Sequence, residues 1–129
     1  MNEFILYFIE KNDETILVYE EKRVIIKENY KRVIEIECLK KLITYKGRIE
    51  ALRKRIGNGY NIPIFISNKI CFIKVGKIYW VNYFKIKCVL KNGDVVLING
   101  EVIKGGYSYR TIVKKIKLIK DLLIEQKYS

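Results

Sequence analysis

The sequence predicts an α+β fold, in which a mostly antiparallel β-sheet is accompanied by two helices at about residues 47–56 and 108–125. Short β-branched and aromatic runs alternate with charged turns along most of the chain, which is typical of antiparallel strands. Asn92-Gly93 separates two apolar runs and indicates a hairpin. Two other segments place apolar residues at helical spacing. Residues 1–129 are enough for a single domain with its own core.

The acidic N-terminal part, residues 1–37, is predicted to be a β meander. Its apolar runs at 4–9, 16–19 and 24–26 are divided by polar turns, and a further apolar group at 33–36 lies among charged residues. Short runs of this kind, bounded by charged residues, favour antiparallel strands.

The segment at about 47–56 has the period of a helix. Ile49, Leu52 and Ile56 share one face, and Gly57 is placed to end the helix as a C-terminal cap. Basic residues occupy much of the rest: Arg48, Arg53, Lys54 and Arg55. These side chains either form a solvated face that suits the helix C-terminus or contact phosphates, and the residues alone leave both readings open.

The central part of the chain returns to strands. Apolar runs occupy about 62–66, 70–73, 78–81, 84–90 and 95–98. Pro63 is expected at a strand start or a sheet edge because it cannot donate a ladder hydrogen bond. Asn92-Gly93 is expected to form a type I′ turn. Trp80 is expected in the core, and Cys71 and Cys88 are expected to be buried, unreactive thiols.

The C-terminal helix, at about 108–125, is predicted from its cap and its period. Ser108 is a suitable N-cap residue. One face is apolar, with Ile112, Val113, Ile116, Ile119 and Leu123. The other carries lysines, namely Lys114, Lys115, Lys117 and Lys120. This basic stripe is either a solvated face or a contact to the DNA backbone.

Charge is distributed unevenly along the chain. Residues 1–37 hold six basic and nine acidic side chains, whereas residues 38–129 hold twenty basic and five acidic ones, a net charge of +15. A field of this size favours a polyanion such as nucleic acid. The abundance of Ile and Lys also fits the codon bias of an AT-rich genome, but that bias does not explain why the acids cluster at the N-terminus.

Several classes of function are disfavoured. The chain has no His, and Cys38, Cys71 and Cys88 are too widely spaced for a zinc site, so neither a metal nor a cofactor is expected. No phosphate-binding or nucleophile motif is present. We therefore expect neither an enzyme nor a small-molecule substrate. The chain shows no signal peptide or membrane-spanning run, which predicts a cytoplasmic protein that does not associate with membranes.

Residues 45–117 resemble the ComK-type competence transcription factors of bacteria. The matching steps, in order, are Gly47-Arg48, Ile62-Pro63-Ile64, Ile70-Cys71-Phe72-Ile73, Tyr79-Trp80-Val81, Asn92-Gly93 and Tyr109-Arg110-Thr111. Three features depart from the family pattern. Only residues 74–77 replace its Ser-rich loop, Gly105-Gly106-Tyr107 replaces a polar step, and the long tail linked to regulated degradation does not follow residue 129.

The resemblance implies an activator that binds AT-rich promoter DNA, largely through the minor groove, as a dimer or higher oligomer associated with the nucleoid. The narrow minor groove of AT-rich DNA attracts Arg and Lys, so the arginines are candidates for groove insertion and the lysines for phosphate contacts. The candidate DNA-binding residues are Lys46, Arg48, Arg53, Lys54, Arg55, Lys69, Lys74, Lys77, Arg110, Lys114, Lys115 and Lys117.

Two alternatives remain at this point. One is another strand-built DNA-binding regulator, such as a LytTR-like output domain. The other is a small non-enzymatic interaction or anti-defence protein whose basic face binds RNA or an acidic protein partner. Salt-dependent binding to duplex DNA with a preference for AT-rich sequence separates the competence-factor reading from both.

Overall fold

A computed structural model describes residues 1–40 and 62–128, and the predicted helix at 47–56 lies outside them. The first part contains β1 (Tyr7–Glu10), β2 (Thr15–Val18), β3 (Arg23–Ile26) and α1 (Tyr30–Lys40). The second contains β4 (Ile64–Ser67), β5 (Ile70–Lys74), β6 (Tyr79–Asn82), a 3₁₀ turn (Tyr83–Lys85), β7 (Ile86–Val89), β8 (Val95–Leu97), β9 (Val102–Ile103) and α2 (Tyr109–Tyr128). All paired strands of this described part are antiparallel, which confirms the α+β prediction.

Six strands form the main sheet, in the order β3-β2-β1-β6-β5-β4. Its centre is the pairing of β1 with β6, which sets Phe8 opposite Trp80. The acidic N-terminal strands therefore share one sheet with strands from the basic part of the chain. Pro63 directly precedes β4, which is an edge strand, as expected for a residue that lacks a backbone N–H.

The main sheet buries both of its faces. Because side chains alternate along a strand, Phe8, Leu17 and Trp80 point to one face, where they pack with Ile34 and Cys38 of α1. Their neighbours along the strands fill a second cluster on the opposite face, together with residues of β8, β9 and α2: Tyr7, Ile9, Val18, Val81, Val95, Leu97, Ile103, Ile112 and Ile119. The main sheet is thus the middle layer of three.

The predicted strand at 33–36 is wrong, because these residues belong to α1. Val33, Ile34, Glu37 and Cys38 are its buried positions, and this spacing follows the 3.6-residue period of a helix rather than the alternation of a strand. Asn29 caps the helix, since its side-chain oxygen accepts the backbone N–H of Arg32 at 3.1 Å.

The second sheet contains three strands in the order β7-β8-β9. The predicted hairpin at Asn92-Gly93 is confirmed, but its turn is not type I′. The N–H of Gly93 donates to the carbonyl of Leu90, and Gly93 has a φ of 92°, so the loop has three residues and ends in a left-handed glycine. The next turn repeats this geometry, with the N–H of Gly100 bound to the carbonyl of Leu97.

The environments of the two strand cysteines differ. Cys71 is fully buried in the core, as predicted, whereas the prediction for Cys88 is wrong because its thiol is exposed. Cys88 lies opposite Val96 in the β7–β8 pair, on the side of the small sheet that faces away from the core. The run at 84–90 has Lys85 and Lys87 among its apolar residues, and its first two residues belong to the 3₁₀ turn. The pairing of β7 with β8 then shifts register between Ile86 and Cys88, so simple alternation does not give the face that Cys88 occupies.

Two glycine-rich segments hold the two sheets together. Gly76 and Gly106 form an isolated antiparallel bridge, and a Cβ added at Gly76 would lie 2.0 Å from the carbonyl oxygen of Gly105. No side chain fits at that distance, so glycine is required at position 76; a Cβ at Gly105 would likewise lie 2.3 Å from the carbonyl oxygen of Val75, and Gly106 has a φ of 103°. The hydroxyl of Tyr7 adds a second link by donating to Glu101 at 2.8 Å.

Trp80 is buried in the core between rings, as predicted. Its ring is stacked on Phe8 at 5.8 Å, and its indole N–H has no hydrogen-bond partner in the described structure. We expect Trp80→Ala to lower the free energy of unfolding by about 3–5 kcal/mol, measured by urea denaturation. Trp80→Phe should cost less, since only packing area is lost.

Ile25→Ala is the matched control for this measurement. Ile25 lies on edge strand β3 and is 58% exposed, so its truncation should change stability by no more than about 0.5 kcal/mol. A cost below about 1 kcal/mol for Trp80→Ala would contradict the packing described here.

Candidate nucleic-acid interface

Helix α2 presents a basic face to solvent because its opposite face is fixed in the core. Ile112, Ile119 and Leu122 are buried against the main sheet and β8. The N-terminus is capped by Ser108, whose hydroxyl accepts the N–H of Thr111 at 3.2 Å, as predicted. The exposed positions then include four basic side chains: Arg110, Lys114, Lys117 and Lys120.

Arg110, in the first turn of α2, is unfavourably placed relative to the helix dipole. A helix N-terminus favours acidic side chains, yet the first turn of α2 contains none and instead carries Arg110. Among residues 1–40 and 62–124, whose side chains are described, Arg110, Lys117 and Lys120 make no ion pair. Neither the helix dipole nor an ion pair among these residues therefore accounts for the position of Arg110.

Lys115 does not belong to this face, although the sequence placed it in the lysine stripe. Its side chain is only 7% exposed, and its ammonium group donates to the carbonyl of Lys74 at 2.9 Å. It also lies 5.0 Å from the centre of the Tyr107 ring. Burial, with a smaller contribution from the charge of Lys74, lowers the pKa of Lys115 to about 8. Lys115 therefore anchors α2 to β5.

Lys74 is also engaged inside the fold. Its ammonium group is 2.8 Å from a carboxylate oxygen of Glu10 and 5.5 Å from the centre of the Trp80 ring. Lys69, by contrast, is exposed and pairs with Glu3 at 3.2 Å. Lys77 is exposed in the turn between β5 and β6.

The structure thus divides the predicted DNA-binding residues into groups. Arg110, Lys114 and Lys117 lie together on α2, while Lys74 and Lys115 have internal partners. Lys69 and Lys77 are exposed on other elements. Five predicted residues lie outside the described part of the chain: Lys46, Arg48, Arg53, Lys54 and Arg55.

A groove beside the basic face adds residues that the sequence analysis did not select. It has a volume of about 550 Å³ and lies between α2 and the free edge of β7. Its walls include the rings of Tyr83, Phe84 and Tyr109, and Lys87 and Lys120 also line it. The exposure of Lys120 could be predicted from the helical spacing of α2. The position of Lys87 in the groove could not be predicted, because the 3₁₀ turn before β7 determines which face of the strand Lys87 occupies.

The chain finds no match among protein-family models, curated proteins or solved structures. Neither described helix is long and apolar enough to cross a membrane. In the described ranges, no group of three or more Cys, Asp or Glu side chains is placed to hold a metal ion. The geometry of the site therefore carries the functional argument.

The buried ammonium group of Lys115 should make stability depend on pH. Its pKa is about 8 in the folded protein and close to 10.5 when unfolded, so between these values the unfolded chain binds more protons. The free energy of unfolding contributed by Lys115 should therefore rise as pH increases from about 8 to 10.5. Urea denaturation of the wild type and of Lys115→Met across this range measures it as the difference between the two profiles.

Lys117→Met is the control for this experiment. Lys117 is exposed on the same helix, so its removal should leave the pH profile parallel to that of the wild type. A wild-type profile that also runs parallel to that of Lys115→Met would show that the Lys115 ammonium group is solvated.

Proposed function

We propose that this chain is a sequence-preferring DNA-binding transcription regulator that binds AT-rich promoter DNA through the phosphate backbone and the minor groove. The observation that carries the proposal is the exposed face of α2, where Arg110, Lys114, Lys117 and Lys120 project from a helix whose other side is anchored in the core. The surplus of +15 in residues 38–129 supplies a long-range field of the same sign.

The length of this face suits a nucleic-acid backbone. At 1.5 Å per residue, Arg110 to Lys120 covers about 15 Å of helix axis. Duplex DNA carries one phosphate charge per about 1.7 Å, so about nine charges lie within that distance. The rigid attachment of α2 also favours binding, because little conformational freedom is lost when the helix meets its partner.

The resemblance to ComK-type factors supports the finer part of the proposal. Tyr109-Arg110-Thr111, which is similar to the family's Tyr-Arg step, forms the first turn of α2. Arg110 is exposed there, and a guanidinium group suits the narrow, negatively charged minor groove of AT-rich DNA. On this proposal the chain acts as an oligomer in the cytoplasm, associated with the nucleoid.

Salt dependence tests whether the α2 face binds DNA. If about six phosphates are neutralised, the logarithm of the binding constant should fall against the logarithm of salt concentration with a slope near −5. Replacing Arg110, Lys114 and Lys117 together by Gln should reduce the magnitude of that slope by about 3. Fluorescence anisotropy with a labelled AT-rich duplex at several salt concentrations measures both values.

The double variant Lys22→Gln, Lys27→Gln is the control. Both lysines are exposed beside β3, which is one edge strand of the main sheet, whereas α2 is bound to β5 near the other edge. The control variant should leave the slope nearly unchanged. The proposal fails if the wild type does not bind duplex DNA at low salt, and tighter binding to RNA than to DNA would favour the RNA-binding alternative.

Competition separates reading of the minor groove from reading of the major groove. Minor-groove readers distinguish A·T from G·C pairs but barely A·T from T·A, so exchanges of A for T within a bound site should be tolerated. A small ligand of the AT minor groove should displace the protein. Arg110→Lys should reduce the AT preference more than the total affinity, because it keeps the charge and loses the planar guanidinium.

The readout for this competition is binding to AT-rich and GC-rich duplexes, measured with and without the groove ligand. Loss of binding on major-groove methylation, with no effect of the minor-groove ligand, would show that the protein reads the major groove instead.

A further inference from the structure

A pocket with a basic lining lies at one end of the main sheet, away from the α2 face. Its volume is about 430 Å³, and it is formed by the β1–β2 turn, the start of α1 and the turn that leads into β6. Lys11, Lys31 and Lys77 line it, with the side chains of Asn12 and Asn29 and the ring of Tyr30. The three lysines are far apart in sequence: the pairing of β1 with β6 brings the segments of Lys11 and Lys77 together, and the packing of α1 on the main sheet adds Lys31.

The charge of this pocket is positive on balance. Glu10 is the one acid among its lining residues, and the ammonium group of Lys74 already binds that carboxylate at 2.8 Å. Lys11 lies 3.9 Å from Glu14, but Glu14 is bound more closely by Lys27, at 2.9 Å. Lys31 and Lys77 make no ion pair with the described side chains, and Lys11 shares Glu14 with Lys27, so the pocket carries a positive balance in a concave surface.

Hydrogen-bond donors accompany these charges. Asn29 uses its side-chain oxygen to cap α1, which leaves its NH₂ group as the part that can donate to a ligand. Asn12 contributes a second side-chain amide, and the first turn of α1 contains no acid. Ammonium and amide donors gathered around a concave surface are the groups that bind phosphate oxygens.

We propose that this pocket binds the phosphate groups of a small phosphorylated ligand. A bound duplex is the less suitable source of these phosphates, because Tyr30 packs on the face of the main sheet opposite to α2. Lys31 lies on that opposite face as part of α1, whereas Lys77 directly follows Gly76, which bridges to Gly106 before α2. The proposal does not depend on the DNA-binding function.

Titration calorimetry with sodium pyrophosphate at constant ionic strength tests the site. The wild type should bind pyrophosphate, and Lys31→Gln and Lys77→Gln should each weaken binding by about tenfold, the effect of losing one charged hydrogen bond. Lys91→Gln is the matched control, since Lys91 is exposed in the β7–β8 turn and is not part of the pocket. That variant should bind like the wild type.

The outcomes distinguish this proposal from the proposed function. No heat of binding up to millimolar pyrophosphate, or an equal loss in Lys91→Gln, would overturn the site. If Lys31→Gln weakens duplex DNA binding while pyrophosphate does not bind the wild type, the pocket contacts the DNA backbone and the small-ligand assignment is wrong. If pyrophosphate binds as expected and duplex DNA does not bind at all, only the DNA-binding function fails.

Discussion

The constraint on which this structure depends is that the six-stranded sheet must be covered on both faces. Each central strand carries apolar side chains at consecutive positions, as Tyr7, Phe8 and Ile9 do, so neither face of the sheet can be left in water. Helix α1 covers one face, and the small sheet with α2 covers the other. The orientation of the basic helix face is therefore set by core packing, and it does not need a partner to hold it.

Lysine has two separate roles in this chain. The ammonium group of Lys74 binds Glu10 and so connects β5 to β1, and that of Lys115 donates to the carbonyl of Lys74 and so connects α2 to β5. Others, such as Lys117 and Lys120, extend from the same helix into solvent. The two roles alternate within a few residues of α2, so the number of lysines in a stretch does not measure its capacity to bind an anion. Only burial separates them.

Much of the fold could be predicted from local patterns, since strands, caps and hairpins leave signatures within a few residues. The strands around Phe8, Phe72 and Trp80 and the Ser108 cap were predicted in this way. The misassigned segment at 33–36 is too short for alternation to be told from helical spacing. The environment of Cys88 was predicted wrongly because the sequence did not reveal the 3₁₀ turn that precedes β7. Lys115 was assigned to the solvent-exposed face because its hydrogen bond to the carbonyl of Lys74 joins distant parts of the chain. The pocket of Lys11, Lys31 and Lys77 depends on long-range pairing, which no local pattern reports.

The pairing of β1 with β6 also governs when the protein can fold during its synthesis. Strand β1 cannot pair with β6 until residues 79–81 have been synthesised, and these follow residues 7–9 by about seventy positions. At ribosomal rates of about 5–20 residues per second, about 3–11 s pass between the completion of β3 at residue 26 and the synthesis of residue 79, where β6 begins. During that interval α1, which covers one face of the three-stranded fragment, is already synthesised, whereas the face that the small sheet and α2 later cover is open to water.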